Sequence, residues 1–243
     1  MIIVSKNNPI VKELSALKEK KYRKIRGTFL VEGEKMVREC MKSGLNVLRV
    51  IAREDYAGDI APALVLGADA FKAICDEKTP QPLAAEVELP RFPLVSPQHS
   101  CILLDGVSDP SNVGAIVRTA VAAGYTEIYC IDCADAYSPK SVRASMSGVF
   151  FAKIMQGSRE EVLAVLNGVP LVAADMDGEN AFLFESPEKF ALCIGNEGNG
   201  LSQEVAGRAQ FTVKIPMGEH TESLNAAVSA GILMYLLKRN IFQ

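Results

Sequence analysis

From residue 101 onward the chain alternates short apolar runs with segments of helical period, and glycine, proline, asparagine or aspartate marks each change. Runs at residues 101–104, 127–132, 150–155, 170–174 and 190–194 predict strands. Helices are predicted after Ser111 or Asn112 as cap, from Ser138-Pro139, and over 159–166. Such alternation predicts a mostly parallel sheet covered on both faces, an α/β fold. Sheets of this kind bind their ligands in loops beyond the carboxyl ends of the strands.

Three of those loops concentrate small and polar residues. The first, Asp105-Gly106-Val107-Ser108-Asp109-Pro110, is turn chemistry. In the helix after it, Val113, Ile116, Val117, Ala120 and Val121 keep a 3.6-residue period up to Gly124, and Arg118, near the start, is the only charge. The second runs from a strand into Gly195-Asn196-Glu197-Gly198-Asn199-Gly200-Leu201-Ser202. Its G-x-x-G-x-G spacing is neither the dinucleotide fingerprint nor a P-loop; it fits backbone N–H groups bared to a ligand, and equally a tight turn. The third spans residues 215–239. Val213 and Ile215 alternate with Lys214, a polar loop follows, and a helix begins where Thr221, Glu222, Ser223 and Asn225 crowd together. The unpartnered N–H groups of a helix start favour negative charge there. Ala226, Ala227, Ala230 and Gly231 make a face that another backbone can approach closely. By itself this is an ordinary capped core helix; the other two loops shift the reading toward a ligand site.

Residues 1–96 read as a small α/β domain with a basic N-terminal helix. Asn8-Pro9 supplies a cap and a first-turn proline, the helix runs to Gly27, and Ile10, Leu14, Leu17 and Ile25 form its apolar stripe. Strands at 29–31 and 47–52 and helices at 33–42 and 69–75 follow. Pro80, Pro82, Pro90, Pro93 and Pro97 mark a linker over about 79–97, with one extended piece at 84–89, and place the boundary near Ser96. The second domain is then 97–243. Lys20, Lys21, Arg23, Lys24 and Arg26 surround Tyr22. They fit contact with RNA phosphates, with Tyr22 stacking, or a solvated helix face.

Charge distribution supports the first of these. Up to Arg49 twelve Lys and Arg face five acids, a net +7, whereas the remainder carries fourteen against twenty-four, a net −10. That asymmetry is expected of a polyanion-facing arm on an acidic body. No secretory leader is visible, and the longest apolar window, 226–237, falls short of the ~20 residues of a membrane span. A cytoplasmic protein is expected. Six scattered cysteines read as reduced, buried thiols; Cys130 and Cys133 form the one CxxC, and with only His99 and His220 besides, no metal is expected.

Together the loops resemble the three motifs of the SpoU (TrmH-like) RNA 2′-O-ribose methyltransferases of the SPOUT superfamily. The matches are LDGVSDPSNVGAIVRTAVAAG (residues 104–124), LCIGNEGNGLS (192–202) and IPMGEHTESLNAAVSAGI (215–232). SKNNPIVKELSALKEKKYRKIRGTFLVEGEK (5–35) resembles the family's N-terminal substrate-binding domain, which has a ribosomal-protein-like fold. The resemblance implies a C-terminal trefoil knot, S-adenosyl-L-methionine bound in the knotted loops, and a homodimer built on the C-terminal helix. It implies Arg118 as catalytic, Asn112 positioning it or the substrate, and Ser223 and Asn225 orienting cofactor or ribose. Gly195, Asn196, Glu197, Gly198, Gly200 and Met217 would line the cofactor pocket, with Leu201, Ile215 and Leu224 against the adenine. Two departures stand out: Pro80 and Pro82 occupy places where the family often has glycine, and His220 sits at a variable position. Ribosomal RNA is the expected substrate, because of the appended domain. Transfer RNA, a catalytically silent RNA-binding protein and a small-molecule α/β enzyme are the competing readings, the last leaving the basic arm unexplained.

Overall fold

The computed structural model describes residues 2–221 and 223–238, so Glu222 and Arg239 of the third stretch lie outside the described residues. In the N-terminal half, β1 (Ile2–Ile3) precedes α1 (Pro9–Ala16), whose first turn is capped by Asn8 Oδ1 accepting from the Ile10 N–H at 2.9 Å. The expected single helix to Gly27 is two. A turn at residues 17–19 separates α1 from α2 (Lys20–Arg26), which Gly27 ends at φ +69°. The break re-phases the stripe: Leu14 and Leu17 are buried, but Ile25 is 71% exposed.

There follow β2 (Thr28–Glu32), α3 (Glu34–Lys42), β3 (Val47–Arg53), β4 (Leu64–Leu66), α4 (Ala68–Ile74) and β5 (Leu83–Glu88). These strands form a mixed sheet in the order β1-β4-β3-β5-β2, with β5 antiparallel to both β2 and β3. The extended piece in the proline-rich stretch is therefore an interior strand. Pro80 and Pro82 sit before it and Pro90 after it, where no ladder N–H is needed.

The second half contains β6 (Cys101–Asp105), α5 (Pro110–Ala122), β7 (Glu127–Ile131), α6 (Pro139–Ser145), β8 (Lys153–Gln156) and α7 (Arg159–Val165). It continues with β9 (Leu171–Asn180), β10 (Ala191–Gly195), α8 (Gln203–Ala206), β11 (Phe211–Lys214) and α9 (Ala226–Leu237). Six strands in the order β11-β9-β10-β6-β7-β8 are parallel throughout. Two boundaries differ from expectation. β8 starts later because residues 148–150 form a 3-10 turn, and β9 runs six residues further because Gly178 lets the backbone at Thr212 and Val213 approach where a Cβ would collide.

Burial explains the unbroken apolar strands. Ile102 and Leu104 face one core while Cys101 and Leu103 face another, so β6 is covered on both sides. The first of these cores also takes in Phe29, Val31 and Val50, so it runs without a gap from one sheet to the other. The small face of α9 is used inside the chain: Ala230 is buried, and a Cβ on Gly231 would lie 3.3 Å from Thr119 of α5. Lys238 anchors the end of that helix, donating to Gly124 O at 2.8 Å and lying 3.6 Å above the Tyr125 ring. Among the described residues no helix is long and apolar enough to cross a membrane.

Candidate active site

The chain folds so that β6 and β10 lie side by side at the middle of the parallel sheet, Asp105 paired in register with Gly195. From β6 the strands run outward to β7 and β8 on one side, and β10 leads to β9 and β11 on the other. At such a point two loops diverge and leave a crevice.

The glycine loop folds back on itself. Asn196 N donates to Gly200 O at 2.8 Å and Gly200 N to Asn196 O at 3.0 Å, and a Cβ on Gly195 would collide with the backbone of Gly200 and Leu201. Gly200 has φ +67°, a left-handed conformation that glycine adopts freely. Asn196 Oδ1 accepts from the Gly198 and Asn199 N–H groups at 3.0 Å each, and its Nδ2 donates to Gly106 O at 2.8 Å. Asp105, buried at the end of β6, accepts from Ser202 N at 2.8 Å and from Arg159 at 3.1 Å, which fixes the far end of the loop.

Glu197 then ties the second loop to the first. Its carboxylate accepts from Ser108 N and Oγ at 3.0 and 2.9 Å, Asp109 N at 3.1 Å and Asn112 Nδ2 at 2.9 Å. Partial burial pushes its pKa up, but the hydrogen bonds from Asn112, Ser108 and Asp109 outweigh that and hold it at about 2. Asn112 Oδ1 in turn accepts from Asn225 Nδ2 at 2.9 Å, and Asn225 Oδ1 caps α9 through the Ala227 and Val228 N–H groups. One hydrogen-bonded line, Glu197–Asn112–Asn225, therefore joins all three loops. Asn112 is free for this because Asp109, not Ser111 or Asn112, caps α5, accepting from Ser111 N at 2.9 Å with Pro110 in the first turn.

Beside this line lies a cavity of about 610 Å³. Gly195, Asn196, Glu197 and Gly200 line one side, and Ile215, Met217, Ser223 and Leu224 another. Gly198 and Leu201 are not in the lining; Leu201 packs instead on the core beneath β6 and β10. Asp175 and Met176, midway along β9, line it although the sequence does not single them out, because residues 175–180 carry no apolar run to mark a strand. The arrangement fits S-adenosylmethionine. Apolar Ile215, Leu224 and Leu233 suit a base, the folded-back glycine loop bares backbone, and Asp175 and Glu197 offset a positive sulfur. Among the described residues no group of three His, Cys, Asp or Glu side chains could hold a metal ion.

Arg118 is placed differently from the expectation. It sits well inside α5 rather than near its start, is exposed, and is not in the cavity lining. A Cβ on Gly148 would lie 2.9 Å from the Arg118 Cα, so the 3-10 turn packs against its backbone. Its guanidinium has no hydrogen-bond or ion-pair partner among the described residues.

The basic run divides. Lys20, Lys21, Tyr22 and Lys24 are exposed, with Lys21 Nζ 5.8 Å from the Tyr22 ring. Arg23 is 2% exposed and donates to Asp135 Oδ2 at 2.5 Å and to Leu17 O and Lys18 O at 2.7 and 2.8 Å. Arg26 pairs with Glu13 and the buried Glu86, each at 2.6 Å. The structure thus does not bring Arg23 to a phosphate-facing surface, and it commits Arg26 to the first sheet.

A fold with two loops meeting at a parallel-sheet crevice and a third closing it defines the class. Residues 99–235 match the SpoU rRNA Methylase family, and residues 8–85 match the MRM3-like substrate binding domain. The chain belongs to the SpoU rRNA methylase family. It is 32% identical to the 23S rRNA (guanosine(2553)-2′-O)-methyltransferase RlmP of Bacillus subtilis (strain 168), over 97% of this chain and 98% of that protein. It is also 32% identical to the 23S rRNA (uridine(2479)-2′-O)-methyltransferase of Streptomyces viridochromogenes, over 86% and 74%. Among solved structures, an AdoMet-bound rRNA methyltransferase from Sinorhizobium meliloti superposes with a TM-score of 0.89 at 29% identity, covering 100% of this chain and 99% of that one. The SpoU methyltransferase AviRb from Streptomyces viridochromogenes, in complex with AdoMet, gives 0.88 at 26% identity, over 98% and 99%.

Proposed function

We propose that this chain methylates a ribose 2′-hydroxyl of ribosomal RNA, using S-adenosyl-L-methionine held between the three loops. The observation that carries this reading is the Glu197–Asn112–Asn225 line beside the cavity. Likeness to two 23S rRNA 2′-O-methyltransferases, over 97% of this chain for one and 86% for the other, supports the substrate class.

When bound, S-adenosylmethionine supplies a methyl group on a sulfonium, an electrophile for in-line attack. The chain's own residues provide geometry and charge. Glu197, ionised throughout the physiological range, fixes the first two loops and complements positive charge in the cavity. Asn112 and Asn225, each holding the other, set the edge of the third loop. Ser223, in the lining, orients cofactor or ribose. Held by the residues of the cavity lining, the donor would supply its methyl group to the ribose 2′-oxygen and leave as the neutral thioether, and the hydroxyl proton would pass to a phosphate oxygen or a water. Arg118 binds the adjacent phosphate and stabilises the developing alkoxide as a cation. It does not serve as a base, because a guanidinium is a cation with N–H donors and no acceptor.

Arg118 lies outside the lining of its own chain's cavity, so we place it across a homodimer, where a second copy completes each site. The outward face of α9, with Val228 half exposed, is the proposed contact, since the small-residue face is taken up by α5. A C-terminal knot, domains at 1–96 and 97–243, and action in the cytoplasm belong to the same reading. The exposed Lys20, Lys21, Tyr22 and Lys24 serve as RNA contacts.

The test is complementation. Arg118→Ala and Glu197→Ala chains, each inactive alone, are unfolded together, refolded and assayed on 23S rRNA. Random pairing of copies restores about one quarter of wild-type transfer if each site draws on both copies. Restoration of none rejects the shared site, and titration of the wild-type chain with S-adenosylmethionine in a calorimeter separately decides whether the cavity binds the donor. A silent RNA-binding protein would release no heat.

A further inference from the structure

Its neighbours in the sequence suggest that Arg23 is one more phosphate contact, and the structure gives it other partners. All three guanidinium nitrogens are committed: Nε and Nη2 to Asp135 Oδ2 at 3.1 and 2.5 Å, Nη1 to Leu17 O and Lys18 O. Asp135 belongs to the opposite half of the molecule, in the segment before α6. Its other side-chain oxygen holds Tyr137 N at 2.9 Å, and the Tyr137 ring lies 5.1 Å from Phe29 of β2. The Asp135 carbonyl accepts from Ser141 Oγ at 2.8 Å. The same hydroxyl reaches Pro110 O at 2.9 Å, the first residue of α5 and two residues before Asn112. There is no slack between α6 and α5, because a Cβ on Gly114 would collide with the Ser141 carbonyl and the Ala144 side chain.

We infer that Arg23 is a positioning residue. Through Asp135, Ser141 and Pro110 it sets the register between the RNA-recognition half and the helix that carries Asn112 and Arg118. The inference rests on the methyl-transfer reading for its kinetic consequence, and on the thread alone for its structural one. It gives the basic run two jobs. Lysines that face solvent hold RNA by charge, and the one buried arginine fixes where the held RNA lies relative to the methyl donor. Misplacement of a reacting group by about 1 Å lowers transfer by up to a hundredfold without weakening binding.

The experiment compares Asp135→Asn and Arg23→Met with Lys20→Ala and Lys21→Ala in the full chain. RNA affinity is measured across salt, kcat and KM are measured on 23S rRNA, and hydrogen exchange is followed at the first-turn amides of α5. Each lysine variant should lower the slope of log affinity against log salt by about one. Asp135→Asn should leave that slope and KM unchanged, lower kcat tenfold or more, and speed exchange at Val113 and Gly114. A salt slope reduced by about one in Arg23→Met overturns the inference, as does Asp135→Asn with both kcat and exchange at wild-type values. If Arg23→Met does not fold, Asp135→Asn decides the matter. If wild-type chain transfers no methyl, the functional reading falls, and exchange in α5 still decides the thread.

Discussion

The three-loop site and the basic helix α2 were both singled out for polar residues at close spacing, and the structure treats them in opposite ways. In the site, Glu197, Asn112 and Asn225 come from distant parts of the chain and satisfy one another. In α2, neighbours in sequence are sent apart: Lys20, Lys21 and Lys24 to solvent, Arg23 into the interface, Arg26 onto a buried carboxylate. The lesson is geometric. A loop at a strand end can turn all its polar groups toward one point, whereas a helix advances each residue by about 100° and must share its charges among faces.

Five substitutions or conditions would break or sharpen that contrast. The largest effect is expected at Arg118→Lys, which keeps the charge and loses the planar fork. Transfer to 23S rRNA should fall about a hundredfold or more, read as kcat; turnover near wild type would mean the guanidinium takes no part. Next comes Asn225→Ala, which removes a helix cap and the partner of Asn112 together. We expect donor affinity to drop about tenfold and stability by about 1–2 kcal/mol, checked by calorimetry and urea unfolding. If affinity holds while stability falls, the line is only a cap. On the helix side, Arg26→Ala should destabilise the chain by about 1–3 kcal/mol, because among the described residues the buried Glu86 keeps only Arg49 and Thr28 as partners. Lys24→Ala should stay within about 0.5 kcal/mol, being exposed. The smallest effect concerns pH. With Glu197 held down at about 2, its contribution is fully present above its ordinary value near 4.3 and is lost only as pH falls toward 2. Donor affinity should therefore be flat from pH 5 to 8; a step in that window that vanishes in Glu197→Gln would contradict the assigned hydrogen bonds.

The parallel sheet and the three loops are legible in the sequence, because periodicity and turn residues act over short range; of the ten residues that the family resemblance assigns to the cofactor, eight line the cavity. What escaped the sequence depends on contacts far along the chain. Asp105 reads as part of a turn, yet it is a buried carboxylate that pins Ser202, a residue ninety-seven positions away. β5 hides among prolines that lie just outside its ladder. Leu201 carries no mark of which side of the sheet it will choose, and the core beneath β10 claims it. The small face of α9 signals close packing without naming the partner, which is α5 of the same chain. Nothing in the basic run marks Arg23 for burial, since it lies six residues past Leu17 and across the turn that divides α1 from α2.

One measurement bears on the whole account. Purified chain is incubated with methyl-labelled S-adenosylmethionine and unmodified 23S rRNA, and the product is hydrolysed with alkali. Methyl on a 2′-oxygen blocks cleavage of the adjacent phosphodiester, so the account predicts label in an alkali-resistant dinucleotide at a defined position. Label in mononucleotides, as base methylation would give, or no incorporation at all, contradicts it.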